Sequence, residues 1–141
     1  NLQTAVLKAA NKVVSVQHPI EKDINYLDQV LFVEESRDPE RGYMAQCIFG
    51  DRQPDDSPCG TGTCARMARR MARDEIKLNE TFKQLNVTDS GAFLGKLISK
   101  EPIGPFEGYV PQICCREVYI IGLNKIIVEH NDNLKCGISQ H

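Results

Sequence analysis

Between Asp55 and Arg73 the chain reads DDSPCGTGTCARMARRMAR. One cysteine, Cys59, stands after a proline and before Gly60, Thr61, Gly62 and Thr63, at the mouth of a segment with helical spacing. Pro58 keeps Ser57 extended and fixes its own φ, so the Cys59 thiol is delivered at a defined point. The helix that opens there has N–H groups without internal partners and a dipole that is positive at this end. Such an end takes an anion. Glycines admit a ligand close to the backbone and threonine hydroxyls add donors, so a carboxylate or phosphate would be held beside the sulfur. A cysteine at a helix N-terminus commonly has its pKa lowered from about 8.5 into the range of about 3.5–7.5, which makes a thiolate available as base or nucleophile. Asp55 and Asp56 precede it; a carboxylate there opposes thiolate formation but can pair with a cationic amine. The residues alone leave open a plainer reading, in which Gly-Thr-Gly-Thr is a tight capped loop and the cysteine is buried and inert.

The elements that would position this loop follow from periodicity. Leu2, Ala5, Val6, Ala9, Ala10 and Val13 recur at helical spacing, so an amphipathic helix opens the chain and ends before His18-Pro19. Residues 24–34 (INYLDQVLFVE) and 42–49 (GYMAQCIF) read as strands. The helix after Cys59 runs to about Ile76. Strands follow at 82–88, 92–99, 108–114, 117–122 and 124–130, punctuated by Asp89-Ser90-Gly91, Pro102, Gly104-Pro105 and Gly122. Two helices among these strands, with short connections, predict one α+β domain over residues 1–141 with a mainly antiparallel sheet.

Composition narrows the function classes. With 141 residues, 41% of them hydrophobic and 26% charged, the chain has the balance of one globular domain. A formal net charge of −2 gives no global attraction to nucleic acid, and no apolar run is long enough to cross a bilayer. The opening on Asn1, inside a helical pattern, suggests a piece of something longer. The six cysteines form no C-x-x-C pair and the three histidines stand apart, so no metal site is expected. Reduced thiols in a cytoplasmic compartment are the default expectation. Cys47 reads as a small apolar side chain on a strand. Arg66, Arg69, Arg70 and Arg73 share one side of the second helix, opposite Ala65, Ala68 and Ala72, and read as a solvated face near the negative end of the helix dipole; a phosphate-binding face is the alternative. Asn79-Glu80-Thr81 and Asn86-Val87-Thr88 match glycosylation acceptors by chance. His18 reads as the cap of a turn.

FGDRQPDDSPCGTGTCARMA, residues 49–68, resembles the second catalytic motif of the proline racemase family, which includes hydroxyproline epimerases and shares a fold with diaminopimelate epimerase. The resemblance continues through SVQHPIEKDINYLDQV upstream and through AFLGKLI and VYIIGLNKIIVEHNDNLKCG downstream, covering nearly the whole chain. It implies a diaminopimelate-epimerase-like lobe, a mainly antiparallel sheet or barrel wrapped around a central helix that starts after Cys59. In that family two lobes each supply one cysteine, and a cofactor-free pair of thiols removes the Cα proton on one face and returns one on the other. Cys59 would then be one of the two acid–base cysteines, Asp55 would bind the substrate amine, and Gly60 and Thr61 would hold the carboxylate. Phe49 would line the apolar wall, favouring proline over hydroxyproline. Members that dehydrate 3-hydroxyproline usually carry threonine in place of this cysteine, so Cys59 points to a racemase or epimerase.

The sequence departs from the family pattern at Asp56, where arginine is usual, at Cys114-Cys115, where threonine-glycine is usual, and at Ile121. The partner Met-Cys-Gly-His motif is absent, and Cys64, five residues along the same helix, cannot face Cys59 across a substrate. The expectation is therefore most of the second lobe of a two-lobe racemase, inactive alone and a homodimer when complete. Its substrate would be proline, or hydroxyproline in the alternative epimerase reading. A non-catalytic binding lobe is the reading from another class.

Overall fold

A computed structural model describes residues 2–35, 40–50, 52–89, 91–115, 122–124 and 130–131. The strands expected at 117–122 and 124–130 fall almost wholly outside them, as do Ile121 and Cys136. The order of elements is α1 (Leu2–Val13), β1 (Val30–Val33), β2 (Tyr43–Phe49), β3 (Gln53–Pro54), α2 (Gly60–Met71), β4 (Phe82–Asn86), β5 (Ala92–Ile103) and β6 (Phe106–Cys115). The strands form one sheet in the order β1-β2-β4-β5-β6, with β3 paired to the end of β2. This is the expected α+β class with a mainly antiparallel sheet.

One pairing breaks the antiparallel rule and explains where the cysteine loop lies. β2 and β4 run parallel, with Tyr43 opposite Gln84 and Ala45 opposite Asn86. Parallel neighbours need a crossover between them, and α2 supplies it. The chain turns back after β2 to form β3, and the loop 55–59 leaves β3 beside Cys47 and feeds the helix that packs back over the sheet.

α2 lies across β5 and β6, and its Met67 is fully buried against Phe82 and Leu97, with Tyr43, Met71, Ile76, Tyr109 and Ile113 packed around them. Close approach of helix and sheet depends on Gly95: a Cβ there would stand 2.6 Å from the Met67 sulfur. The helix ends at Met71, not near Ile76, because Asp74 N–H bonds to the Met71 carbonyl and Glu75 N–H to that of Arg70 while Asp74 takes a positive φ. That is the tightening by which helix ends satisfy their last carbonyls.

Two expectations near the N-terminus are corrected. α1 forms, but Gln3 is its buried residue, while Leu2, Val6 and Val13 are exposed. Residues 24–29 are not strand: Asn11 clasps Leu27, its Nδ2 donating to the Leu27 carbonyl (2.8 Å) and its Oδ1 accepting from the Leu27 N–H (3.0 Å). A side chain thus satisfies the backbone that a strand partner would otherwise hold. His18 does cap a turn, its Nδ1 accepting from the N–H groups of Ile20 and Glu21.

Candidate active site around Cys59

Cys59 is buried at the N-cap of α2 with φ 69° and ψ 105°. A non-glycine residue at positive φ is strained, typically by about 1–3 kcal/mol, and persists only where its surroundings dictate it. Here they do. The Cys59 N–H donates to Ser57 Oγ (3.0 Å), whose own N–H donates to Asp55 Oδ1 (2.9 Å). The Cys59 carbonyl accepts from both the N–H (2.9 Å) and the Oγ1 (2.7 Å) of fully buried Thr63. The sulfur accepts from Gly62 N–H at 3.4 Å and lies 3.8 Å from Thr61 Oγ1. So the helix end turns an amide and a hydroxyl towards the thiol, while helix geometry leaves the Gly60 and Thr61 N–H groups without an intrahelical acceptor. A carboxylate could be received there beside the sulfur.

The residues singled out in the sequence are drawn together to different degrees. Asp55 is half-buried beside the Cys59 turn, one carboxylate oxygen committed to Ser57. Gly60 and Thr61 open the helix, and a Cβ added at Gly60 would come no nearer than 4.0 Å to the Phe93 ring. Phe49 ends β2, half-buried, on the same side of the strand as Cys47 by the alternation of a strand. Asp56 is exposed, and its carbonyl points inward to Asn86.

Cys47 is more than packing. It is buried as expected, yet its thiol meets that of Cys59 and donates to Gln29 Oε1 at 3.6 Å. Burial, then the contact with Cys59, then the nearby charges of Asp55 and Asp28 push the Cys47 thiol up to about 12 from its ordinary 9.0, so it keeps its proton at neutral pH. Cys64 lies half-buried one turn down the helix, and burial raises its thiol as well. Cys47, Cys59, Cys64 and Cys114 carry free thiols. Among the described residues no cluster of three or more metal-ligating side chains occurs, and no helix is long and apolar enough to cross a membrane.

The arginines depart from the solvated face expected of them. Arg66 is 5% exposed and Arg70 is largely covered, because the stacked rings of Tyr43 and Phe82 (centroids 4.9 Å apart) lie beneath their guanidinium groups. The Arg70 Cζ is 4.3 Å from the Tyr43 centroid and the Arg66 Cζ is 5.4 Å from both rings. Glu35 receives Arg66, Arg69 and Arg70, and Glu75 takes Arg70 at 3.2 Å, so the positive stripe is met by two carboxylates and two ring faces. Burial lowers the pKa of Arg66, and Glu35 opposes that shift. Of the four, Arg69, half exposed, and Arg73, exposed, fit the original expectation.

Three amide side chains that sequence reasoning passed over reach the loop from the sheet. Gln46 Nε2 donates to the Asp55 carbonyl (2.8 Å), Asn86 Nδ2 to the Asp56 carbonyl (2.7 Å) and Gln84 Nε2 to the Pro58 carbonyl (2.5 Å). Their signal was present: Gln84 and Asn86 alternate with Phe82 on the inward face of a strand, and a buried amide must find partners.

This geometry, a buried thiol at the mouth of a helix on a mainly antiparallel lobe, defines a class in which a sulfur waits beside an anion-binding helix end. The family described as proline racemase matches residues 1–139, and the chain belongs to that family. It is 34% identical over 129 residues to a proline racemase of Acetoanaerobium sticklandii, covering 92% of this chain and 38% of that protein. It is 33% identical over 124 residues to a trans-3-hydroxy-L-proline dehydratase of Bacillus thuringiensis subsp. konkukian, covering 88% of this chain and 36% of that one. The crystal structure of a hydroxyproline epimerase from Agrobacterium vitis with bound trans-4-OH-L-proline shares the fold, with a TM-score of 0.75 at 24% identity over 99% of this chain and 39% of the other. The chain thus spans under two fifths of the length of the curated relatives it matches.

Proposed function

We propose that this chain supplies one half of the site of an amino-acid racemase, in which Cys59 exchanges the Cα proton of proline on one face and a thiol from another lobe serves the opposite face. The observation that supports it is the Cys59 sulfur, fixed at the N-cap of α2 with the Gly62 amide and the Thr61 hydroxyl turned towards it. A thiol held there can carry a proton between two states without a cofactor. The first amides of α2 receive the substrate carboxylate, the free edge of the Asp55 carboxylate takes the ring ammonium, and Phe49 covers the apolar ring. Inversion follows when one thiolate takes the proton from Cα and the opposite thiol donates to the planar carbanion, leaving the two sulfurs with their protonation exchanged. The homodimer implied by the resemblance, and the cytoplasmic setting in which both buried thiols stay reduced, belong to the same reading.

The test is Cα–H exchange in D2O, followed by NMR with L-proline and then with trans-4-hydroxy-L-proline. It uses the complete protein, this chain alone, and complete protein carrying Cys59→Ser. Exchange with inversion in the complete protein, lost in Cys59→Ser, is the expected result. Preference for the hydroxylated substrate would turn the assignment to an epimerase, and undiminished turnover by Cys59→Ser would remove this thiol from the reaction.

A further inference from the structure

The strained backbone of Cys59 needs a cause outside the residue. The peptide plane between Pro58 and Cys59 sets its φ, since rotating that plane rotates the Cα–Cβ bond and moves the sulfur. Both ends of the plane are gripped. The Pro58 carbonyl accepts from Gln84 Nε2 at 2.5 Å, and the Cys59 N–H at the other end donates to Ser57 Oγ at 3.0 Å. Gln84 is wholly buried and its orientation is not free: its Oε1 accepts from Arg66 Nη1 at 3.2 Å. A guanidinium can only donate, so the amide must present its oxygen to Arg66 and its nitrogen to Pro58. Arg66 is held in turn by Glu35 and by the rings of Tyr43 and Phe82. The chain of contacts runs from a surface carboxylate through a buried cation and a buried amide to the peptide that aims the thiol.

We propose that Gln84 is a positioning residue for the Cys59 thiol, acting through the Pro58–Cys59 peptide, with Arg66 fixing which way its amide points. The role in catalysis rests on the reading of Cys59 as an acid–base group; the control of thiol direction does not. Gln46 and Asn86 hold neighbouring carbonyls of the same loop. Neither touches the plane that sets φ at Cys59, so Gln84 is singled out among the three amides. A loop held only for stability would need its carbonyls satisfied; it would not need the single plane before the thiol clamped from both sides.

Gln84→Glu is the discriminating substitution. It keeps the shape and gives Arg66 a carboxylate to pair with, but replaces the donor at the Pro58 carbonyl by an acceptor. Ser57→Ala releases the other end of the plane, and Ser57→Thr restores a hydroxyl there. Two readouts are taken on the folded complete protein: the rate of Cys59 alkylation by iodoacetamide across a pH series, located by peptide mass, and kcat and KM with L-proline. The expected result for Gln84→Glu and for Ser57→Ala is a changed alkylation profile and a kcat lower by about tenfold to a hundredfold at little-changed KM, with Ser57→Thr near wild type. If Gln84→Glu does not fold, Gln84→Met, which keeps the length of the side chain without a donor for the Pro58 carbonyl, takes its place in both readouts. Wild-type alkylation profiles in the folded variants would overturn the proposal. Turnover retained by Cys59→Ser would instead overturn the acid–base reading, while the alkylation profiles still report on positioning.

Discussion

The Cβ that Gly62 lacks would stand 2.9 Å from the sulfur of Cys59 and 3.1 Å from both methyls of Leu31. The second glycine of the motif is thus a space for the thiol, in a helix where an alanine would otherwise be preferred by about 1 kcal/mol. Gly62→Ala sets that gain against an overpacking cost of about 1–3 kcal/mol. The net loss of stability is therefore small, while the sulfur must move. The expected outcome is a melting temperature within a few degrees of wild type and a clear fall in Cys59 alkylation rate and in turnover. A variant with normal thiol reactivity would show that the sulfur does not need this room.

Arg66 and Arg69 carry the same charge three residues apart on α2, and their substitution separates a buried cation from a surface one. Arg66→Ala leaves the Gln84 oxygen without its donor and empties the space over two rings. A loss of about 2–3 kcal/mol is expected from the orphaned buried acceptor and the lost packing. Arg69, half exposed and 3.8 Å from Glu35, should cost no more than about 0.5 kcal/mol when replaced by alanine. Urea midpoints for the two variants check the contrast; equal midpoints would return both arginines to the solvated face.

Sequence alone carried the location of the thiol and the class of the fold further than it carried their support. Proline before Cys59, the glycines after it and the helical spacing beyond are local signals, so the N-cap position was legible. The burial of Arg66 and Arg70 was not, because it depends on Tyr43 and Phe82 meeting across β2 and β4, two strands joined by a long crossover. Charge on one side of a helix ordinarily means solvent, and only a tertiary contact reverses that. The neighbourhood of Cys47 and Cys59 was hidden for a similar reason: twelve positions apart by number, they meet because the chain turns back at β3 and the Asp55 N–H bonds to the Cys47 carbonyl. Residues 24–29 misled as a strand because apolar alternation there is satisfied by Asn11, a contact across α1 that periodicity does not record.

Cys47 gives stability a pH dependence of known sign. Its thiol is raised from 9.0 to about 12 in the folded chain, chiefly by burial, so the folded state binds a proton that the unfolded chain releases first. That contribution is complete below about pH 9 and is lost as pH climbs from there towards 12. Thermal unfolding of the wild type should therefore weaken across this window by more than that of Cys47→Val, which has no proton to lose at the site. Taking the difference between the two curves removes the common titration of tyrosines and lysines. Parallel curves would mean that Cys47 is already accessible to solvent in the folded state.

The proposed function gives Asp55 a second duty beside the turn cap that the geometry shows, and two substitutions part them. One oxygen caps the turn at Ser57, and the other edge of the carboxylate is assigned to the substrate ammonium. Asp55→Asn keeps an acceptor for the Ser57 N–H but removes the charge; Asp55→Ala removes both. A hydrogen bond to a charged group is worth about 1.5–3 kcal/mol, which corresponds to about tenfold to a hundredfold in affinity. For the complete protein, Asp55→Asn should thus raise KM for L-proline by that order with its melting temperature unchanged. Asp55→Ala should raise KM similarly and lower kcat and melting temperature as well, because the turn that presents Cys59 loses its cap. Steady-state racemisation followed by polarimetry, with a melting curve for each variant, supplies both numbers. An unaltered KM in Asp55→Asn would take the ammonium away from Asp55 and leave this side chain a turn cap only.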